Sequence, residues 1–82
     1  MHHGAVDAAI YAVGEIQDII AVGTERCDSA MGAIIHAVGS TPHVESAGNA
    51  MSFTSEIKNR FDEMYRITEQ IKAELERYKG GF

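Results

Sequence analysis

The chain has no tryptophan, a single cysteine and a single proline among its 82 residues, and only 7% of it is aromatic. A lone Cys27 forms no internal disulfide, which argues against a disulfide-stapled scaffold and fits a reducing cytosol. Bases are also scarce. Seven lysines and arginines stand against twelve acids, for a net charge of −5, and they are interleaved with the acids rather than gathered into a stripe. Such a surface repels a phosphate backbone, so nucleic acid is not an expected partner. Long hydrophobic runs are missing as well. The longest charge-free stretch, Ser29 to Val44, falls short of the roughly 20 residues a membrane span needs and contains His36, Pro42 and His43. No signal peptide is expected, because Asp7, Glu15 and Asp18 interrupt the early apolar residues. These features predict a soluble, cytoplasmic protein. His2 and His3 are read equally well as native residues or as the remnant of a tag, and carry no functional weight.

What the chain does have is a three-four spacing of apolar residues on either side of one punctuation mark, Gly39-Ser40-Thr41-Pro42. In the first half the spacing picks out Val6, Ile10, Val13, Gln17, Ile20, Thr24, Cys27, Met31, Ile34 and Val38. In the second it picks out Ile57, Phe61, Met64, Thr68, Ile71, Leu75, Tyr78 and Phe82. Each set lies along one side of a long helix. The expected fold is therefore all-α, an antiparallel helical hairpin forming one domain over 1–82. Its helices are expected at about 5–38 and 42–79, joined by a turn at 39–41 and followed by a flexible tail at 80–82. Gly39 suits a left-handed helix end, Thr41 a cap and Pro42 the first position of the second helix.

The two helices are built differently. Apolar residues of the first spread over roughly 180°, wider than the roughly 100° one neighbour covers, with Asp7, Glu15, Asp18, Glu25, Arg26 and Asp28 in the remaining sector. Gly14, Gly23 and Gly32 each cost about 1 kcal/mol relative to alanine, so this helix depends on tertiary packing. The second helix is strongly charged from Ser52 onward, with Glu56 and Arg60, Lys58 and Asp62, and Asp62 and Arg66 at i,i+4 spacing. Its apolar arc is narrower, roughly 120°, which predicts an outer helix around an inner first one. Val44 and Met51 project away from the later stripe, and Gly48-Asn49 marks a place for a kink or a restart at Ser52.

No arrangement of residues announces chemistry. His36 and His43 flank the turn without the further ligands at helical or loop spacing that a metal site needs. Cys27 sits on the apolar stripe as a small hydrophobe and not in a nucleophile motif. Asp62 and Glu63, or Glu74 and Glu76, are adjacent surface acids, whereas a general acid needs a desolvated pocket. Gly80-Gly81 precedes no helix that would make it a phosphate loop. No catalytic, cofactor or metal residue is expected, and the protein is not expected to be an enzyme. Gln17 and Thr24 lie on the stripe as polar groups of a partly wet seam able to fix register.

An acidic chain of this size, with two long helices, a Val-Gly-Ser-Thr-Pro-His turn at residues 38 to 43 and a tyrosine near the end of helix two, resembles the small WXG-type helical hairpins of type VII secretion. Ala37-Val38-Gly39 stands where that family carries Trp-x-Gly. The family's export signal, Tyr-x-x-x-Asp/Glu after the second helix, has no match at Tyr78, whose fourth following residue is Phe82. Tyr65 to Glu69 and Tyr11 to Glu15 satisfy the spacing inside the helices, as three tyrosines among twelve acids do by chance. The resemblance implies a dimeric helical hairpin that is a partner or carrier for a larger secreted protein, and leaves export by a signal-peptide-independent route open beside a cytoplasmic location.

The functional expectation is a nonenzymatic interaction protein that pairs through helix one with itself or a related hairpin, making a homo-oligomeric four-helix bundle. The residues expected at that interface are Val13, Ile16, Ile19, Ile20, Cys27, Met31, Ile34 and Ile35. A structural or adaptor protein of a bacteriophage particle or other large assembly would show the same stripes.

Overall fold

The structure, a computed structural model, describes residues 4–39 and 42–81. It consists of α1, Gly4–Val38, and α2, Val44–Lys79. The described chain is all-α, a hairpin of two helices. It measures 65 × 16 × 10 Å, with a radius of gyration of 18.7 Å, against about 12 Å for a compact domain of this length. The helices run antiparallel, since partners across the hairpin descend in α2 as they ascend in α1: Asp7 meets Lys79, Gln17 meets Thr68 and Asp28 meets Lys58.

In α1 the stripe read from the sequence is the seam. Val13, Gln17, Ile20 and Cys27 are buried, and Val6, Ile10, Thr24, Met31, Ile34 and Val38 are half-buried. The spacing alternates four and three without a break, the 3.5-residue repeat that keeps one side of a helix on a single neighbour.

In α2 the seam is rotated by one residue from the sequence reading. Ala47 and Thr68 are buried, and Met51, Thr54, Lys58, Phe61, Lys72, Leu75 and Lys79 are half-buried, with Tyr65 in the same series at 41% exposure. Phe61, Thr68 and Leu75 belong to both series. Ile57, Met64, Ile71 and Tyr78, expected on the seam, are exposed instead. The rotation also removes the expected irregularity: Met51 lies on the seam, and α2 passes through Gly48-Asn49 without interruption.

The link between the helices differs from its expected chemistry. Gly39 does not adopt a positive φ; among the described glycines only Gly81 does, at 81°. Glycine is needed at position 39 for space, because a Cβ there would stand 2.6 Å from the Ile35 carbonyl oxygen, which already accepts the Gly39 N–H at 2.9 Å. Pro42 precedes α2 by two residues, and His43 takes the N-cap position without a side-chain cap bond. The cap expected from Thr41 lies outside the described residues, as do Ser40, Phe82 and the side chain of Val44.

One polar layer interrupts the seam. The Gln17 side chain is buried, and its Nε2 donates to Thr68 Oγ1 at 3.0 Å. Its Oε1 accepts from Lys72 Nζ at 3.3 Å, while the Thr68 hydroxyl donates to the Tyr65 carbonyl. Thr24, by contrast, turns back on its own helix, donating to the Ile20 carbonyl at 3.1 Å.

Gln17→Leu should lower unfolding free energy by about 1–3 kcal/mol, because it strips Thr68 and Lys72 of a buried partner. Adding Thr68→Val should recover part of that loss. Urea titrations of the four species of this double-mutant cycle measure the coupling, and strict additivity would show that the two side chains do not interact.

The glycines of α1 separate by their surroundings. A Cβ at Gly14 or Gly32 meets nothing within 4 Å, whereas at Gly23 it would meet the Phe61 ring at 2.5 Å. Gly14→Ala and Gly32→Ala should each stabilise by up to about 1 kcal/mol. Gly23→Ala should fall short of that gain and recover it when combined with Phe61→Leu, as thermal melts of the variants would show.

Candidate interaction surface

The sides of the hairpin follow from which residues flank the seam. Gly23 lies seven residues after Ile16 and four after Ile19, so it shares their flank of α1. Phe61, whose ring packs against Gly23, leans to the flank of α2 that holds Ile57 and Met64. The two flanks therefore adjoin and form one continuous face. It carries Ile16, Ile19, Phe53, Ile57, Met64, Ile67, Ile71 and Tyr78, at 40 to 70% exposure. Between the large residues of α1, the same face is completed by small ones, Ala9, Ala12, Ala30 and Ala33.

The other face is acidic and is tied across the hairpin by ion pairs. Lys58 Nζ meets Asp28 Oδ1 at 2.7 Å, and Lys79 Nζ meets Asp7 Oδ1 at 2.8 Å. Asp18, Glu25, Asp62 and Glu69 share this side by their helical spacing from those partners. The hydrogen bond and charge of Asp28 raise Lys58 above the ordinary lysine range, and Asp7 does the same for Lys79. Their stabilising effect is thus present at neutral pH and lost as pH rises through the raised lysine values. Both groups are solvated, and such pairs contribute little on their own.

The lysines matter more for what their stems cover. Lys58, Lys72 and Lys79 expose only 33 to 38% of their side chains, because their methylenes lie along α1 while their ammonium groups reach oxygen atoms at the seam's edge.

The residues expected at an interface divide into three groups. Val13, Ile20 and Cys27 are buried between α1 and α2, and Met31 and Ile34 are half-buried on the same seam. Ile16 and Ile19 lie on the open apolar face, at 47% and 70% exposure. Ile35, 52% exposed, lies seven residues after Asp28 and so falls on the acidic side. The structure also corrects the division into inner and outer helices: large exposed apolar residues occur on both, and more of them on α2. The sequence reading missed Phe53 and Ile67 altogether; their three-four spacing with Ile57, Met64 and Ile71 was the available signal.

Among the described residues no group of three or more His, Cys, Asp or Glu gathers as metal ligands would, and no helix is long and apolar enough to cross a membrane. No protein-family model, curated protein or solved structure matches the chain.

Seam and surface positions should respond differently to the same substitution. Ile20→Asp places a carboxylate in the buried seam and should cost several kcal/mol. Val22→Asp, at a site 53% exposed and away from both seam and apolar face, should stay within about 0.5 kcal/mol of wild type. Circular dichroism during chemical denaturation distinguishes them.

Proposed function

We propose that this protein is a nonenzymatic helical pairing protein, whose mechanism is coverage of apolar surface by a second helical hairpin laid against the face formed by α1 and α2. The carrying observation is an inversion on α2. Three lysines turn toward α1, while Ile57, Met64, Ile67 and Ile71 turn to solvent at 40 to 52% exposure. A chain under no constraint but its own folding would bury the isoleucines and expose the lysines.

The accessible area supports the same reading. The chain exposes 6040 Å², whereas a compact protein of its mass exposes about 4,800 Å². The excess of about 1,200 Å² exceeds the roughly 800 Å² that each partner contributes to a standard stable interface. A four-helix bundle is the simplest assembly that removes it, since each hairpin supplies two helices to a common core. Such a pairing protein could keep a larger secreted partner competent for export, the role implied by the likeness to WXG-type hairpins. The adaptor role in a particle uses the same face, but the isolated, continuous form of that face favours one hairpin-sized partner.

The test is affinity purification from the native cells of the wild-type chain and of Ile19→Asp/Met64→Glu, with a differently tagged second copy also present. The wild type should retain a helical partner, the tagged copy included, and the variant should lose it while keeping the helicity of a hairpin. The same proteins recovered with both chains would overturn the reading.

A further inference from the structure

We infer that α2 has two rotational settings against α1, the observed one and a second turned by about 50° about the α2 axis, which withdraws Ile57, Met64 and Ile71 from the open face and packs them on α1. This goes beyond the pairing reading, since the rotation needs no partner.

The inference comes from three heptad rows that run side by side along α2. Ala47, Thr54, Phe61, Thr68 and Leu75 form the middle row, and all five are buried or half-buried. On one flank, four residues after each of them, stand Met51, Lys58, Tyr65, Lys72 and Lys79. On the other, three residues after each, stand Ala50, Ile57, Met64, Ile71 and Tyr78. The middle row makes a 3.5-residue seam with either flank, and the two seams differ only by a rotation of the helix.

Both seams share one axial register. Gln17 lies opposite Thr68 in either, because Thr68 belongs to the middle row. Other bonds of that row stay inside α2: Thr54 donates to the Ala50 carbonyl at 2.8 Å and Thr68 to the Tyr65 carbonyl, so they turn with the helix. The rotation breaks the contacts of Lys58, Lys72 and Lys79 with Asp28, Gln17 and Asp7. Two of these are solvated ion pairs, which hold a helix weakly. In exchange, two isoleucines and a methionine leave water.

The observed setting is finely balanced wherever no lysine tips it. Tyr65 and Met64, on either side of the middle row, are 41% and 42% exposed, and Met51 and Ala50 are both half-buried. The lysine row gains the seam where an ammonium group reaches an oxygen, as at Lys58, half-buried beside an Ile57 that is 52% exposed. Opposed preferences of similar size along one rigid helix make a two-setting element. An occupant of the open face contacts Ile57, Met64 and Ile71 only in the observed setting and so draws α2 into it. Without one, the second setting shields the α2 half of the face.

Cys27 reads out the rotation, because it is buried on the seam beside Asp28, whose partner is Lys58. Lys58→Cys places a second thiol near it in the observed setting, Ile57→Cys in the rotated one and Glu56→Cys in neither. Each variant is checked for helicity by circular dichroism, and its intramolecular disulfide is measured by mass spectrometry in a glutathione redox buffer. Lys58→Cys and Ile57→Cys should both close, with effective concentrations within about a hundredfold of each other, as a minor setting populated at the per cent level requires. Glu56→Cys should stay open. Adding Met64→Glu/Ile71→Glu, which suits the exposed positions of the observed setting and buries carboxylates in the other, should lower closure of Ile57→Cys at least about tenfold and leave Lys58→Cys unchanged. Closure of Ile57→Cys no better than that of Glu56→Cys, or equal with and without the double substitution, would show a single setting and overturn the inference. Either result leaves the pairing reading to its own purification test.

Discussion

Every other feature of this hairpin depends on its single seam, and the seam's register depends on Gln17. Two helices with a 3.5-residue repeat can slide by a heptad and still match apolar residues with apolar residues. Gln17 makes those slips costly. In the observed register its amide finds Thr68 and Lys72, whereas a shift of seven residues would set it against Phe61 or Leu75, burying an amide without a partner. That loss costs about 1–3 kcal/mol, a large fraction of the stability available to a chain this small. A polar group in a helical seam thus gives up some stability to select one alignment.

Fixing that alignment decides what the outside of the molecule looks like. With Gln17 on Thr68, Phe61 and Leu75 fall on the seam in either stripe, and the bond from Lys72 to Gln17 selects the intermediates Lys58, Tyr65, Lys72 and Lys79 over Ile57, Met64 and Ile71. The lysines tolerate this position because Asp28, Gln17 and Asp7 lie within reach of their ammonium groups. The consequence is carried by their neighbours. Ile57, Met64 and Ile71, one residue before those seam positions, are rotated about 100° away and join Ile16 and Ile19 on one open face. The polar seam and the apolar exterior are two results of one register.

This coupling also explains what could be read from the sequence and what could not. In α1 the seam is spelled by Val13, Ile20, Cys27 and Ile34, and hydrophobic spacing alone locates it. In α2 two interlocking stripes share Phe61, Thr68 and Leu75. The more apolar one, through Ile57, Met64 and Ile71, was the natural choice under a rule that equates apolar with buried. The true one was disguised by lysines, whose charge advertises solvent while their stems serve as packing. Met51 held the corrective signal, since it fits only the lysine-bearing series. The need for glycine at position 39 was legible, but its reason was not: proximity to the Ile35 carbonyl is a property of the folded turn. The open face was legible only in its α1 half, through Ile16 and Ile19, because recognising the α2 half required knowing which stripe was taken by the seam.

The slenderness of the hairpin leaves it only a thin core of its own. Val13, Ile20, Cys27 and Ala47 are the buried apolar residues among those described, and none of them is large enough to anchor a core alone. Chains of this size usually draw on a staple, a metal or a partner. One cysteine provides no internal staple, and no ligand cluster for a metal gathers among the described residues. A partner remains. Burying the open face would extend the seam from one contact line to a core shared by four helices, and the free energy of that contact would add to folding by mass action. The glycines of α1 divide by side. At Gly23 the missing side chain admits Phe61, while at Gly14 and Gly32, where space is free, nothing in the isolated hairpin calls for glycine. Both lie on the acidic side, seven residues after Asp7 and Glu25, so they weaken the helix on the side away from the open apolar face, where a partner on that face would leave them uncovered.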